Sequence, residues 1–176
     1  MNYMNKLYYE LDDTKIDAIQ VRYTGEIDNY ILAFEEAKSW LELGFKLEKN
    51  NSLNKEVYVL IAYATELLLK ALLIKNKIHF DKSHDLNYLF LLLNDEDKDF
   101  IRKKSSVKEL EIIDENYIII NKLITFEDFL SYVSKNFTSL RYDFSKNNPN
   151  EAVTIPKKFI NNFAFSLYIR CVSKLK

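Results

Sequence analysis

Two glycines and two prolines in 176 residues are too few to punctuate a chain of short strands and tight turns, which excludes most sandwiches and barrels. A single cysteine, Cys171, excludes an internal disulfide, and its place in the apolar run 166–172 reads as a small core residue in a reducing compartment. Two histidines, His79 and His84, with that one cysteine do not make a zinc ligand set, so neither metal nor cofactor is expected. The balance of 25 basic against 26 acidic side chains, net charge −1, provides no global field to draw in nucleic acid. The apolar stretches are broken by Glu66, Lys70 and Lys75, and the N-terminus has no signal-type apolar core. Neither a membrane span nor secretion is expected, and the cytoplasm follows by default.

What is present is a chain 48% hydrophobic and 29% charged, the mixture of one soluble domain large enough to bury a continuous core. Residues 1–24 mix aromatics with charges and alternate in part through Ile16, Ala18, Val21 and Tyr23, which suits a strand or an arm ahead of a helical domain over 25–176. From Glu26 to about Leu47, Tyr30, Ile31, Phe34, Ala37, Leu41 and Phe45 recur at three- and four-residue steps, one face of a helix. Ser52 is a suitable cap for a second helix to Ile74, whose added Leu67, Leu69 and Leu73 widen the apolar arc and make it central. Ser83, His84 and Asp85 open a short apolar helix over 86–93, and 95–104 places its acids first and its bases last, matching the helix macrodipole. Residues 105–124 admit helix or strand. Thr125 followed three residues later by Asp128 is a capping pattern that opens a helix through Phe137, and Pro156 begins a last helix over 157–173. The sum is an all-α bundle of about five to seven helices, with the helices through Glu66 and Leu130 at its centre.

Four sets of polar residues stand out against this background. Glu66 and Lys70 form an i,i+4 pair in the favourable order; on an open surface it is a modest ion pair, but between Leu67, Leu68 and Leu69 it is placed to be half-buried and tied to His84 or Arg141. His84 either caps the helix alongside Ser83 and Asp85 or lines a cleft. Arg141 and Tyr142, at a helix end before an Asn-rich stretch, suit an anion, or Arg141 pairs with Asp143 or Glu66. Arg102, Lys103, Lys104 and Lys108 are the densest basic cluster and the patch able to track an RNA backbone, unless they are simply a solvated helix end.

The span 62–74, rich in leucine and carrying Glu66 and Lys70, then His84-Asp85-Leu86-Asn87-Tyr88-Leu89, then Leu140-Arg141-Tyr142 before a last helix, resembles the HEPN group, the higher eukaryote and prokaryote nucleotide-binding domains. The resemblance implies an all-α bundle that pairs as a homodimer and, in many members, a metal-independent ribonuclease of toxin–antitoxin, abortive-infection or other defence systems. RNA and an antitoxin or defence partner protein are then the implied partners. Active members follow an Arg a few residues later with a His: the Arg holds the scissile phosphate and the His moves the 2′-hydroxyl proton. Here no His follows Arg141, and Lys146 and Asn147 stand at that spacing. The resemblance therefore implies one of two classes: an RNA-binding or RNA-cleaving effector using Arg141 with His84 or Lys146, or a non-catalytic scaffold keeping Glu66, Lys70, His84 and Arg141 for assembly or sensing.

Overall fold

The computed structural model describes residues 29–49, 55–105, 125–142 and 157–175. Among them six helices follow in order: α1 Tyr30–Lys49, α2 Lys55–Lys75, α3 Leu86–Leu91, α4 Asp95–Ser105, α5 Phe126–Tyr142 and α6 Lys157–Ser173. The expected all-α bundle is what the chain forms. The expectations for the arm over 1–24, the Ser52 cap and residues 106–124 lie outside the described residues.

Each start has a side-chain reason. The amide side chain of Asn29 accepts the backbone N–H of Ile31 at 2.9 Å, so α1 begins at Tyr30. The Thr125 hydroxyl accepts from Asp128 N at 3.1 Å while Asp128 accepts from Thr125 N at 3.0 Å, the reciprocal box read from the sequence. Asn94 and Asp97 make a similar exchange at the start of α4: Asp97 N donates to Asn94 Oδ1 at 2.9 Å and Asn94 Nδ2 to Asp97 at 3.1 Å.

Helix α2 runs through the middle, packed against α1, α6, α3 and α5. Its Ile61, Ala64, Leu68, Leu69, Ala71, Leu72 and Leu73 are wholly buried. By length and composition Glu56–Lys75 could cross a membrane, which corrects the expectation that no segment could. Its window is 67% buried among the other helices, which marks it as the core helix of the bundle. The second central element is α6, not α5: α6 packs on α2, α4 and α1 and buries Phe159, Ile160, Phe163, Ala164, Leu167 and Cys171. A Phe cluster of Phe90, Phe126, Phe129, Phe159 and Phe163, with ring centroids 5.0 to 6.0 Å apart, joins α3, α5 and α6.

Helices α1 and α2 pack tightly at Gly44, where a Cβ would lie 2.8 Å from Ile61 Cγ1. The buried arc of α1 comprises Tyr30, Ala33, Phe34, Ala37, Leu41 and Gly44. Ile31, expected on the inner face, is 57% exposed.

Candidate functional site

Glu66 lies in the middle of α2 and is 1% exposed. An isolated carboxylate there would carry a large desolvation cost, so its donors determine whether the helix can hold it. Oε1 accepts from Lys70 Nζ at 2.6 Å, one turn on, and meets His84 Nδ1 at 2.9 Å. His84 reaches it because α2 ends in a tight reversal: Lys77 takes a left-handed φ of 55°, and Ile78 N donates to Leu73 O at 2.9 Å. This closure satisfies the last carbonyls of α2 and sends the chain back along it.

His84 does not cap α3. That role falls to Asp85, whose Oδ1 accepts from Asn87 N at 2.9 Å and Tyr88 N at 3.1 Å. Ser134 of α5 donates to the same oxygen at 2.7 Å and accepts from Leu86 N at 2.9 Å. The backbone under His84 is therefore held by two helices, and the ring by the buried Glu66, while the His84 side chain stays 48% exposed. A carboxylate oxygen only accepts, so Nδ1 carries the hydrogen, which in the neutral ring leaves the lone pair on Nε2. Such an arrangement suits proton transfer at Nε2.

Beside it, between the start of α3 and α5, is an open groove of about 430 Å³ lined by Asp85, Asn87, Ser131, Ser134, Lys135 and Thr138. In the register of α5, Arg141 stands seven positions beyond Ser134, two turns along the same stripe. The side chains of Arg141 and Tyr142, and residues Lys108, Lys146 and Asn147, lie outside those described. Within the expected RNA-backbone patch, Arg102 is engaged: Nε donates to Glu127 at 2.8 Å, and the guanidinium lies 5.4 Å over the Phe90 ring. Lys103 and Lys104 are exposed.

A second buried carboxylate escaped the sequence reading. Asp97 of α4 is fully buried and accepts from Arg170 Nε at 2.5 Å, Asn76 Nδ2 at 2.6 Å and Lys174 Nζ at 2.8 Å. Burial alone would push its carboxyl up, but the hydrogen bonds from Lys174, Asn76 and Arg170 and the Lys174 charge outweigh it and hold the group below its ordinary range. Nearby, Tyr30 donates its hydroxyl to Cys171 O, and burial raises the Cys171 thiol far above its usual value, leaving it inert. The Asn94 and Asp97 capping pattern was the signal available for Asp97; its distant partners left none.

A family model described as HEPN domain matches residues 30–159. No curated protein and no solved structure matches the chain.

Proposed function

The chain belongs to the HEPN domain family, and from that premise we propose that it is a metal-independent RNA-binding and RNA-cleaving effector in which His84 carries the proton and Arg141 the phosphate. The observation that supports this is the half-exposed His84 ring hydrogen-bonded through Nδ1 to the buried Glu66. Nε2 takes the proton of a ribose 2′-hydroxyl; the oxygen attacks the adjacent phosphorus, the bond to the 5′-oxygen breaks, and a 2′,3′-cyclic phosphate forms. Arg141 neutralises the charge that builds on the phosphoryl oxygens. Lys146 delivers the proton that the departing 5′-oxygen needs, and Asn147 hydrogen-bonds the phosphate. Glu66, with its charge balanced by Lys70, fixes the imidazole and offsets the positive charge it gains.

In this reading the protein works in the cytoplasm as a homodimer within a prokaryotic defence or toxin–antitoxin module, held in check by a partner protein, with residues 1–24 as its arm. Tyr142 adjoins the phosphate site, and Lys103, Lys104 and Lys108 steer the RNA backbone, with Arg102 as their anchor. One feature favours a non-catalytic scaffold instead: no His follows Arg141.

The two readings separate in an RNA-cleavage assay with chelator present, run on wild type, Arg141→Ala and His84→Ala after circular dichroism has checked their folding. Cleavage by the wild type, reduced at least about a hundredfold in both variants, is the expected result. No cleavage at micromolar protein overturns the catalytic reading and leaves the scaffold.

A further inference from the structure

The groove between α3 and α5 has a chemical character of its own, distinct from the proton-transfer pair. Its lining is Asp85, Asn87, Ser131, Ser134, Lys135 and Thr138: three hydroxyls, one amide, one ammonium and one carboxylate, with no aromatic ring. The Asp85 carboxylate is engaged by its cap: Oδ1 accepts from Asn87 N, Tyr88 N and Ser134 Oγ. Lys135 has no hydrogen bond or ion pair among the described residues, so it is the cation the groove offers a ligand, beside the Asp85 carboxylate that is turned to its cap. A volume of about 430 Å³ falls in the lower part of the ~300–1,000 Å³ range of small-ligand sites.

Lys135 suits the one negative charge of a phosphodiester, and Asn87, Ser131 and Thr138, whose own hydrogen goes to Ser134 O at 3.2 Å and whose oxygen can still accept, suit the hydroxyl of the ribose joined to it. Without an aromatic platform a base has nothing to stack on, so base identity goes unread. The groove shares Asp85 with the cap that fixes His84, and it lies along the stripe of α5 that continues to Arg141.

We infer that this groove holds the sugar and phosphate of one nucleotide in an RNA strand, with Lys135 on the phosphate and Asn87, Ser131 and Thr138 on the ribose. The inference rests on the proposed action on RNA and deepens it: the groove sets the strand's position relative to His84, and the choice of RNA over DNA comes from the ribose hydroxyl. Lys135 is a positioning residue and moves no proton.

The test is amide chemical-shift titration of the full chain with uridine 3′-monophosphate, adenosine 3′-monophosphate, the 2′-deoxy analogue of each, and inorganic phosphate. Both ribonucleotides are expected to shift Asn87, Ser131, Lys135 and Thr138 with similar affinity. The deoxy analogues and phosphate bind more weakly, and Lys135→Gln weakens ribonucleotide binding roughly tenfold, the loss of one charge-assisted hydrogen bond. Equal binding of phosphate alone, equal binding of the deoxy analogues, or no shifts at these amides overturns the inference. Cleavage of RNA with an empty groove overturns the groove and leaves the His84 reading; groove binding without cleavage does the reverse.

Discussion

Glu66 and Asp97 are both buried carboxylates on helices, yet their surroundings are opposite. Asp97 is enclosed by donors from three parts of the chain: Asn76 after α2, Asn94 at the start of α4, and Arg170 and Lys174 at the end of α6. Those partners come from the ends of α2, α4 and α6, and Arg170 reaches on to the exposed Glu96 at 2.6 Å, so the cluster ties helix ends together. Glu66 accepts from Lys70 on its own helix and from His84, whose other face is open to solvent. A fully buried carboxylate whose donors come from several helix ends is a clasp. One whose donor is a half-exposed imidazole is a support for chemistry, because it fixes a group that can still meet a substrate.

The largest effect that would break this contrast is expected at Asp97. Asp97→Ala leaves Lys174, 18% exposed in its side chain, without this counter-charge, and leaves Arg170, 11% exposed, with only the solvent-exposed Glu96. Urea denaturation should show a loss of about 3–5 kcal/mol. The same carboxylate sets an acid limit. Its folded value lies below its ordinary one, so the unfolded chain takes up the proton first as pH falls. Its contribution is complete above the ordinary carboxylate value and drains away below about pH 4. Stability of the wild type should therefore fall on acidification with a slope that Asp97→Asn lacks.

Glu66→Gln keeps a hydrogen-bond acceptor for His84 and removes the charge. It should cost about 1–2 kcal/mol in the same denaturation experiment and lower RNA cleavage by roughly a hundredfold. A stability loss as large as that of Asp97→Ala, with cleavage unchanged, would erase the distinction between the two carboxylates. The smallest effect is expected at Arg102, whose pair with Glu127 is 38% and 47% exposed. Arg102→Ala should shift stability by less than about 1 kcal/mol, and its effect on RNA affinity should grow as salt is lowered.

The sequence made the Glu66 site legible because its signals are local: an i,i+4 pair inside a leucine-rich helix, and a His-Asp-Leu turn after it. Helical periodicity likewise gave the elements, including α5 from its capping box and α6 from Pro156. Asp97 was not legible, since Asn76, Arg170 and Lys174 are 21, 73 and 77 residues away, and an acidic first turn already has a sufficient explanation in the macrodipole. Arg102 reads as part of a basic cluster until α5 brings Glu127 beside it. The central place of α6 was hidden because its apolar residues are not confined to one stripe: Phe159, Phe163 and Leu167 are buried, while Phe165 is 54% exposed. Which side of the apolar arc of α1 is buried, with Gly44 against Ile61 and Ile31 outside, is a packing outcome that periodicity cannot weigh.

The claim on which the rest depends is that Glu66 fixes the His84 ring with its hydrogen on Nδ1 and its lone pair on Nε2. Long-range proton–nitrogen correlation at mildly alkaline pH reads the tautomer directly, and with two histidines in the chain a His79→Asn variant assigns the signals. The expected result is an Nδ1–H tautomer for His84 in the wild type and a mixture of tautomers in Glu66→Leu. A dominant Nε2–H tautomer in the folded wild type would contradict it.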